Sequence, residues 1–162
     1  TMDLIIQKAT ELGAHRVVPV LSERSVPDWD EAKAAAKVEK WRSVCIESIK
    51  QCGSAWLPTL EMPMTPSAAI EDARGAEVSL IATLQSDAKH PRTHIDGYEA
   101  ENGQAPKKLA IWVGPEGDYT PAEINQIRGS ALPITLGPLV LRSETAAIYC
   151  LAFLNYELQS RP

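Results

Sequence analysis

Between residues 109 and 159 the chain twice repeats one arrangement: a short apolar run, a glycine-containing turn, and a helix with its own start signals. The runs at 109–113 and 134–136 lack the polar alternation of a half-exposed strand, so both faces of each are expected to be covered. Strands alternating with helices predict an α/β fold, a mainly parallel sheet with helices on both faces, because parallel neighbours are joined by crossovers. The first of these helices, over 120–128, opens with Thr120, Pro121 and Glu123 as N-cap, N1 proline and capping-box glutamate. The last runs over 143–159.

The preceding residues extend the pattern. Asp3 is placed to cap a helix that turns Leu4, Ile5, Ala9 and Leu12 to a core and stops at Gly13. A strand at 17–21, a polar loop at 22–30 and a long helix at 30–52 follow. In that helix Trp41, Val44, Cys45, Ser48, Ile49 and Cys52 recur at three and four, predicting one buried stripe that includes both cysteines. Pro58, Pro63 and Pro66 surround a segment, 59–62, that suits only an edge strand. A short helix at 67–73 and a strand at 78–84 come next, and 85–107, charged and holding two prolines, reads as a long exposed loop. With 162 residues, 44% of them hydrophobic, the expectation is one domain spanning 1–162.

Charge narrows the function. A net charge of -5, from 21 acidic and 16 basic residues, argues against a broad surface that neutralises phosphates. An RNA substrate would need a local basic patch, a second subunit or a basic domain outside this chain. Cys45, Cys52 and Cys150 form no C-x-x-C pair, and no histidine completes a zinc site, so no metal is expected and a reduced, cytoplasmic protein fits. No apolar run approaches the roughly 18 residues of a membrane span, nor does the start resemble a secretory signal. The chain enters its first helix at once, as at a domain boundary.

The chemistry is expected at two turns, Gly114-Pro115-Glu116-Gly117 and Leu136-Gly137-Pro138-Leu139. Ligands of open α/β sheets gather beyond the carboxyl ends of strands, where glycine lets backbone approach them. Neither G-x-x-x-x-G-K-[ST] nor G-x-G-x-x-G occurs, which argues against a phosphate-cradling nucleotide site. The second turn leads into Leu141-Arg142-Ser143-Glu144-Thr145-Ala146-Ala147 at a helix start, whose free N–H groups suit an anion. The alternative reading, left open by spacing alone, is that Ser143 caps the helix while Arg142 and Glu144 are solvated.

The segments W-V-G-P-E-G-D-Y-T-P-A-E-I and L-G-P-L-V-L-R-S-E-T-A-A together resemble the RsmE-type enzymes, which methylate N3 of a uridine in small-subunit ribosomal RNA. D-L-I-I-Q-K-A-T-E-L-G-A, S-E-R-S-V and K-Q-C-G-S-A-W-L-P match in the same order, so the resemblance covers nearly the whole chain. It implies a SPOUT-type fold with a C-terminal trefoil knot, a homodimer, and S-adenosyl-L-methionine bent within the knot. Carried over residue by residue, it implies cofactor contacts at Leu84, Gly114, Pro115, Glu116, Gly117, Leu136, Gly137, Leu139, Leu141 and Thr145. Arg142 and Glu144 would be catalytic, beside the transferred methyl, Arg142 steadying the imide anion and Glu144 or Glu116 taking the N3 proton. The partner implied is 16S ribosomal RNA, with no membrane.

Two departures and one omission stand out. Asp118 replaces the family's second glycine, which a positive φ would make costly but tolerable for Asp. Ser54 replaces a frequent arginine, removing a possible phosphate contact, and the family's small β-rich RNA-binding domain is absent from this chain. Other SPOUT reactions, on ribose 2′-hydroxyls or transfer-RNA bases, and a non-catalytic RNA or ribosome-assembly module are the alternative functions. His15, His90 and His94 lie in unrelated segments and are assigned no role. Arg24 could touch RNA or pair locally, Trp112 reads as core, and Tyr119 could stack on a base or cover its loop.

Overall fold

The computed structural model describes residues 1–25 and 27–159. Val26, which ends the S-E-R-S-V segment, lies outside the described residues. The elements in order are α1 (Met2–Glu11), β1 (Arg16–Val17), α2 (Glu31–Cys52), β2 (Thr59–Leu60), α3 (Pro66–Asp72), a 3₁₀ turn (Ala73–Gly75), β3 (Val78–Ala82), α4 (Pro91–Asn102), β4 (Leu109–Trp112), α5 (Pro121–Arg128), β5 (Leu132–Ile134) and α6 (Ser143–Leu158).

The α/β reading holds, and every described strand pair is parallel. β1 pairs with β2, and a separate three-stranded sheet has the order β4-β3-β5. Side-chain alternation along central β3 explains the layering. Ile81 joins a cluster with Ala69 of α3 and with Ile124 and Ile127 of α5. Val78 and Leu80 join Ile95 of α4 and Cys150 and Leu154 of α6 in another. Helices therefore cover both faces. Trp112 is core as expected, and its indole N–H donates to Ser79 Oγ at 3.0 Å. A third cluster, Ile6, Trp41 and Cys45, packs α1 on α2 and on Val17 and Leu60 of the smaller sheet.

Several expectations are corrected. α1 buries Ile6, Ala9 and Thr10, whereas Leu4 is exposed, because α1 packs on both α2 and α6 and the buried stripe is rotated from the one expected. Asp3 caps nothing: its carboxylate accepts from Trp41 Nε1 at 3.0 Å and pairs with Lys40 at 3.1 Å, which holds its pKa below the usual range. In α2, Trp41, Cys45 and Ser48 are buried but Cys52 is exposed, because the helix ends there, one residue before the left-handed Gly53. The strand expected at 17–21 shrinks to β1 and a bridge from Val20 to Met64 around Pro19, which cannot donate. β5 begins earlier than expected and includes Pro133, which an edge strand tolerates.

The largest correction is α4, inside the expected loop. His90 Nδ1 accepts from Arg92 N at 3.1 Å, Pro91 occupies the first turn, and Gly103 at φ 74° closes the helix. Its apolar stripe is only Pro91, Ile95 and Tyr98, too sparse to show against the surrounding charge.

Candidate active site

Because β4, β3 and β5 run parallel side by side, the chain leaves all three at one edge. The loops at 83–90, 113–120 and 135–142 emerge there, and they carry most of the expected site residues.

The turn after β4 is tightly determined. Asp118 N–H donates to the Pro115 carbonyl at 2.8 Å, closing a β-turn. Asp118 has φ 62°, as the family's glycine at that place would allow, and its short side chain stabilises the left-handed backbone by accepting from Tyr119 N at 2.7 Å. That carboxylate folds over Gly114: a Cβ built there would lie 2.6 Å from Asp118 Oδ1 and 3.2 Å from Tyr119 N. Tyr119 is buried and donates to the Val113 carbonyl at 3.2 Å, so it covers the loop and is not free to stack; burial raises its hydroxyl pKa.

A second layer holds this turn from outside. The expected capping box of α5 is present, with Glu123 Oε2 accepting from Thr120 N at 2.9 Å and Thr120 Oγ1 from Glu123 N at 3.2 Å. Glu123 is only 5% exposed, and its other oxygen accepts from Glu23 N at 2.8 Å. Arg24, next in sequence, donates from Nη1 to the Gly117 carbonyl at 2.5 Å. Glu123→Ala is expected to strip the part-buried N–H groups of Thr120 and Glu23 of their carboxylate partner and to lower stability by about 1–2 kcal/mol. A shift of the urea midpoint at unchanged slope measures this; an unchanged midpoint refutes it.

The turn after β5 is looser. Gly137 has φ 107° with open space where a Cβ would stand, so it is needed for its backbone and not to relieve crowding. Leu136 and Leu141 are half-buried, and Leu139 and Val140 are 72% and 78% exposed. Across β3's end Leu84 is 64% exposed, on a loop held by Arg128 through Gln85 and Asp87 and by Lys89 N to the Pro133 carbonyl at 3.1 Å. Three large apolar side chains thus stand uncovered on the strand-end loops. A cavity of about 210 Å³ between α4 and α6 includes Leu136 and Gly137 in its lining, with His90, Ile95, Tyr149 and Phe153. A larger groove between α1 and α2, about 670 Å³, is lined by residues such as Gln7, Lys40 and Glu47 and shares none with the strand-end turns.

Arg142 connects the turns. It, and not Ser143 as in the alternative reading, is the N-cap of α6, and Nη1 lies 3.7 Å from Glu116 Oε1. Both side chains are mostly exposed, so the pair adds little stability, but it joins the loops after β4 and β5 across β3. Ser143 Oγ is buried without a hydrogen-bond partner. Glu144 is half-buried and Thr145 exposed in the first turn of α6.

The RNA methyltransferase domain family matches residues 1–155. The chain belongs to that family. Members similar to it include the ribosomal RNA small subunit methyltransferase E of Bacillus subtilis, 30% identical over 98% of this chain and 62% of that protein. The protein of the same name from Aquifex aeolicus is 29% identical over 95% of this chain and 62% of its own. Among solved structures, a Legionella pneumophila methyltransferase in complex with the cofactor SAM superposes with a TM-score of 0.85 at 32% identity, covering 96% of this chain and 61% of that one. The chain thus spans about three-fifths of the length of these relatives.

Within this RNA methyltransferase domain, the histidines have local roles: His90 caps α4, His94 Nε2 lies 3.1 Å from the Pro133 carbonyl, and His15 sits edge-on to Trp56. Cys150 is an inert core thiol, its pKa pushed up to about 12 by burial. Ser54 Oγ donates to the Trp56 carbonyl at 3.0 Å. Sequence reading did not find the Arg24 and Arg128 clasps. Their partners lie 93 and 41–43 residues away, and no local spacing signals contacts of that kind.

Proposed function

We propose that this chain catalyses S-adenosyl-L-methionine-dependent methylation of N3 of a uridine in 16S ribosomal RNA, as a single catalytic domain of SPOUT type with a C-terminal trefoil knot. The observation carrying this reading is the Arg142–Glu116 pair, which brings an L-R-S-E-T-A helix start against a G-P-E-G turn. The residues fit the cofactor: Gly137 leaves open space for close backbone approach, Leu84 and Leu139 offer uncovered apolar surface to an adenine, and Ser143 Oγ is an unspent hydrogen-bonding group. Gly114, Pro115, Glu116, Gly117, Leu136, Leu141 and Thr145 complete the set. When bound, S-adenosyl-L-methionine would supply an electrophilic methyl group, its sulfur keeping the C–S electron pair and departing as a neutral thioether.

The chain's own residues do the rest. Uracil N3 carries a proton at neutral pH, so its lone pair is freed as a base removes that proton. Glu144, in the first turn of α6, accepts it. Arg142 remains cationic and forks two donors onto a uracil carbonyl oxygen, where negative charge builds as N3 is deprotonated. Glu116 orients Arg142 by their ion pair.

Incubation of the chain with small-subunit ribosomal RNA and labelled cofactor, followed by nucleoside analysis, is expected to yield N3-methyluridine. Label on a ribose hydroxyl or another base would mean a different acceptor pocket, and RNA binding without transfer would mean an assembly role.

The protein acts as a homodimer in this reading, as the outer side of α6 supports. The helix is apolar nearly all round, and Tyr149 and Tyr156 are 51% and 75% exposed. Light scattering at micromolar concentration is expected to give twice the chain mass, and Tyr149→Glu to shift it toward the monomer. A monomeric native chain overturns the shared-interface reading.

A further inference from the structure

We infer that Arg24 is a positioning residue for methyl transfer, one that presets the Gly114–Gly117 turn for the cofactor; the inference rests on the cofactor site proposed above. Arg24 lies on the loop between β1 and α2, remote in sequence from the turn, yet its guanidinium donates to the carbonyl of Gly117 at 2.5 Å. A Cβ at Gly117 would lie 3.6 Å from Arg24 Cδ, so the aliphatic stem also packs along this residue. The neighbouring Glu23 N–H is anchored on the buried Glu123 at 2.8 Å, and Ser22, fully buried, bonds Ser25 through their hydroxyls at 2.7 Å. The loop is therefore fixed to the body on one side of Arg24, and Arg24 transmits that fixation to the turn.

The turn needs such a brace. Its internal backbone bond is the single one from Asp118 N to the Pro115 carbonyl, and Asp118 holds a left-handed backbone that favours glycine. Gly117, at its exposed apex, has its carbonyl aimed at Arg24. Arg142 meets the same turn at Glu116, so the two cations grip adjacent residues, Arg24 by backbone and Arg142 by side chain.

The prediction opposes simple electrostatics. S-adenosyl-L-methionine is a net cation at neutral pH, so deleting an arginine nearby should strengthen its binding if only charge mattered. Loss of a brace should weaken it. In calorimetric titration of the whole chain with S-adenosyl-L-methionine, Arg24→Ala is expected to bind about tenfold more weakly, one hydrogen bond to a charged donor. Its melting temperature should stay native, because Arg24 is exposed. Arg24→Lys, which can still donate to the Gly117 carbonyl, should regain most of the affinity. Arg74→Ala, removing an equal charge from an exposed i,i+3 pair ahead of β3, should bind as the native chain does. In turnover assays the Arg24→Ala defect should fall on the cofactor KM while kcat at saturation is kept. Native affinity in Arg24→Ala, or equal losses in Arg24→Ala and Arg74→Ala, overturns the positioning role. Failure of the native chain itself to bind overturns the cofactor site, and this inference with it.

Discussion

Gly114→Ala is expected to weaken S-adenosyl-L-methionine binding by about a hundredfold while the rest of the fold persists. One methyl group is enough, since its carbon would stand 2.6 Å from Asp118 Oδ1 and 3.2 Å from the backbone nitrogen of Tyr119. The carboxylate could swing away, but it is held by Tyr119 N at 2.7 Å, and Tyr119 is itself buried. The turn must therefore open. Overpacking of this kind costs about 1–3 kcal/mol, which the cofactor would have to recover from its own contacts. Gly114→Trp should abolish binding altogether. Adding Asp118→Gly to Gly114→Ala removes the nearest clash and should restore part of the affinity, leaving only the backbone contacts at 3.2 and 3.3 Å. Calorimetric titration with circular dichroism as the folding control decides the matter; native affinity in Gly114→Ala would show that the turn is not a cofactor cradle.

Arg142→Ala should act on rate. Its guanidinium is exposed and, among the described residues, paired only with Glu116 at 3.7 Å, so its loss costs the fold almost nothing. Removing a charged donor aimed at developing negative charge lowers kcat by about 10²–10³. Cofactor affinity should change by less than about threefold, a far smaller effect than the loss in rate. Arg142→Lys keeps the charge but loses the forked geometry, and should fall between. Should cofactor affinity drop as far as kcat in Arg142→Ala, Arg142 would be a cofactor-binding residue and the charge-stabilising role would fail.

These two residues also mark how far sequence reading reached. Gly114 and Arg142 lie in strand-turn-helix units whose signals are local: an apolar run, a glycine turn, and a helix start such as Thr120-Pro121-x-Glu123. Asp118 was legible only through the family resemblance, which places a glycine there and so implies a positive φ, and 62° is found. α4 was not legible. With only Pro91, Ile95 and Tyr98 on its inner stripe, it depends on β3 and α6 being in place to receive them. Leu4 and Cys52 failed for a related reason: an apolar residue at helical spacing shows that a face exists, not where the neighbouring helix will lie.

By itself, then, the sequence determined the alternation of strands and helices, the parallel pairing that follows from it, and the identity of the two turns. Each depends on interactions within a few residues, where dihedral preference, capping and periodicity act directly. Only the tertiary structure decided that β3 lies between β4 and β5, which sets Arg142 against Glu116, and that Arg24 reaches Gly117 from 93 residues away. Such contacts are settled by which buried faces pack together, and that is a property of the whole chain.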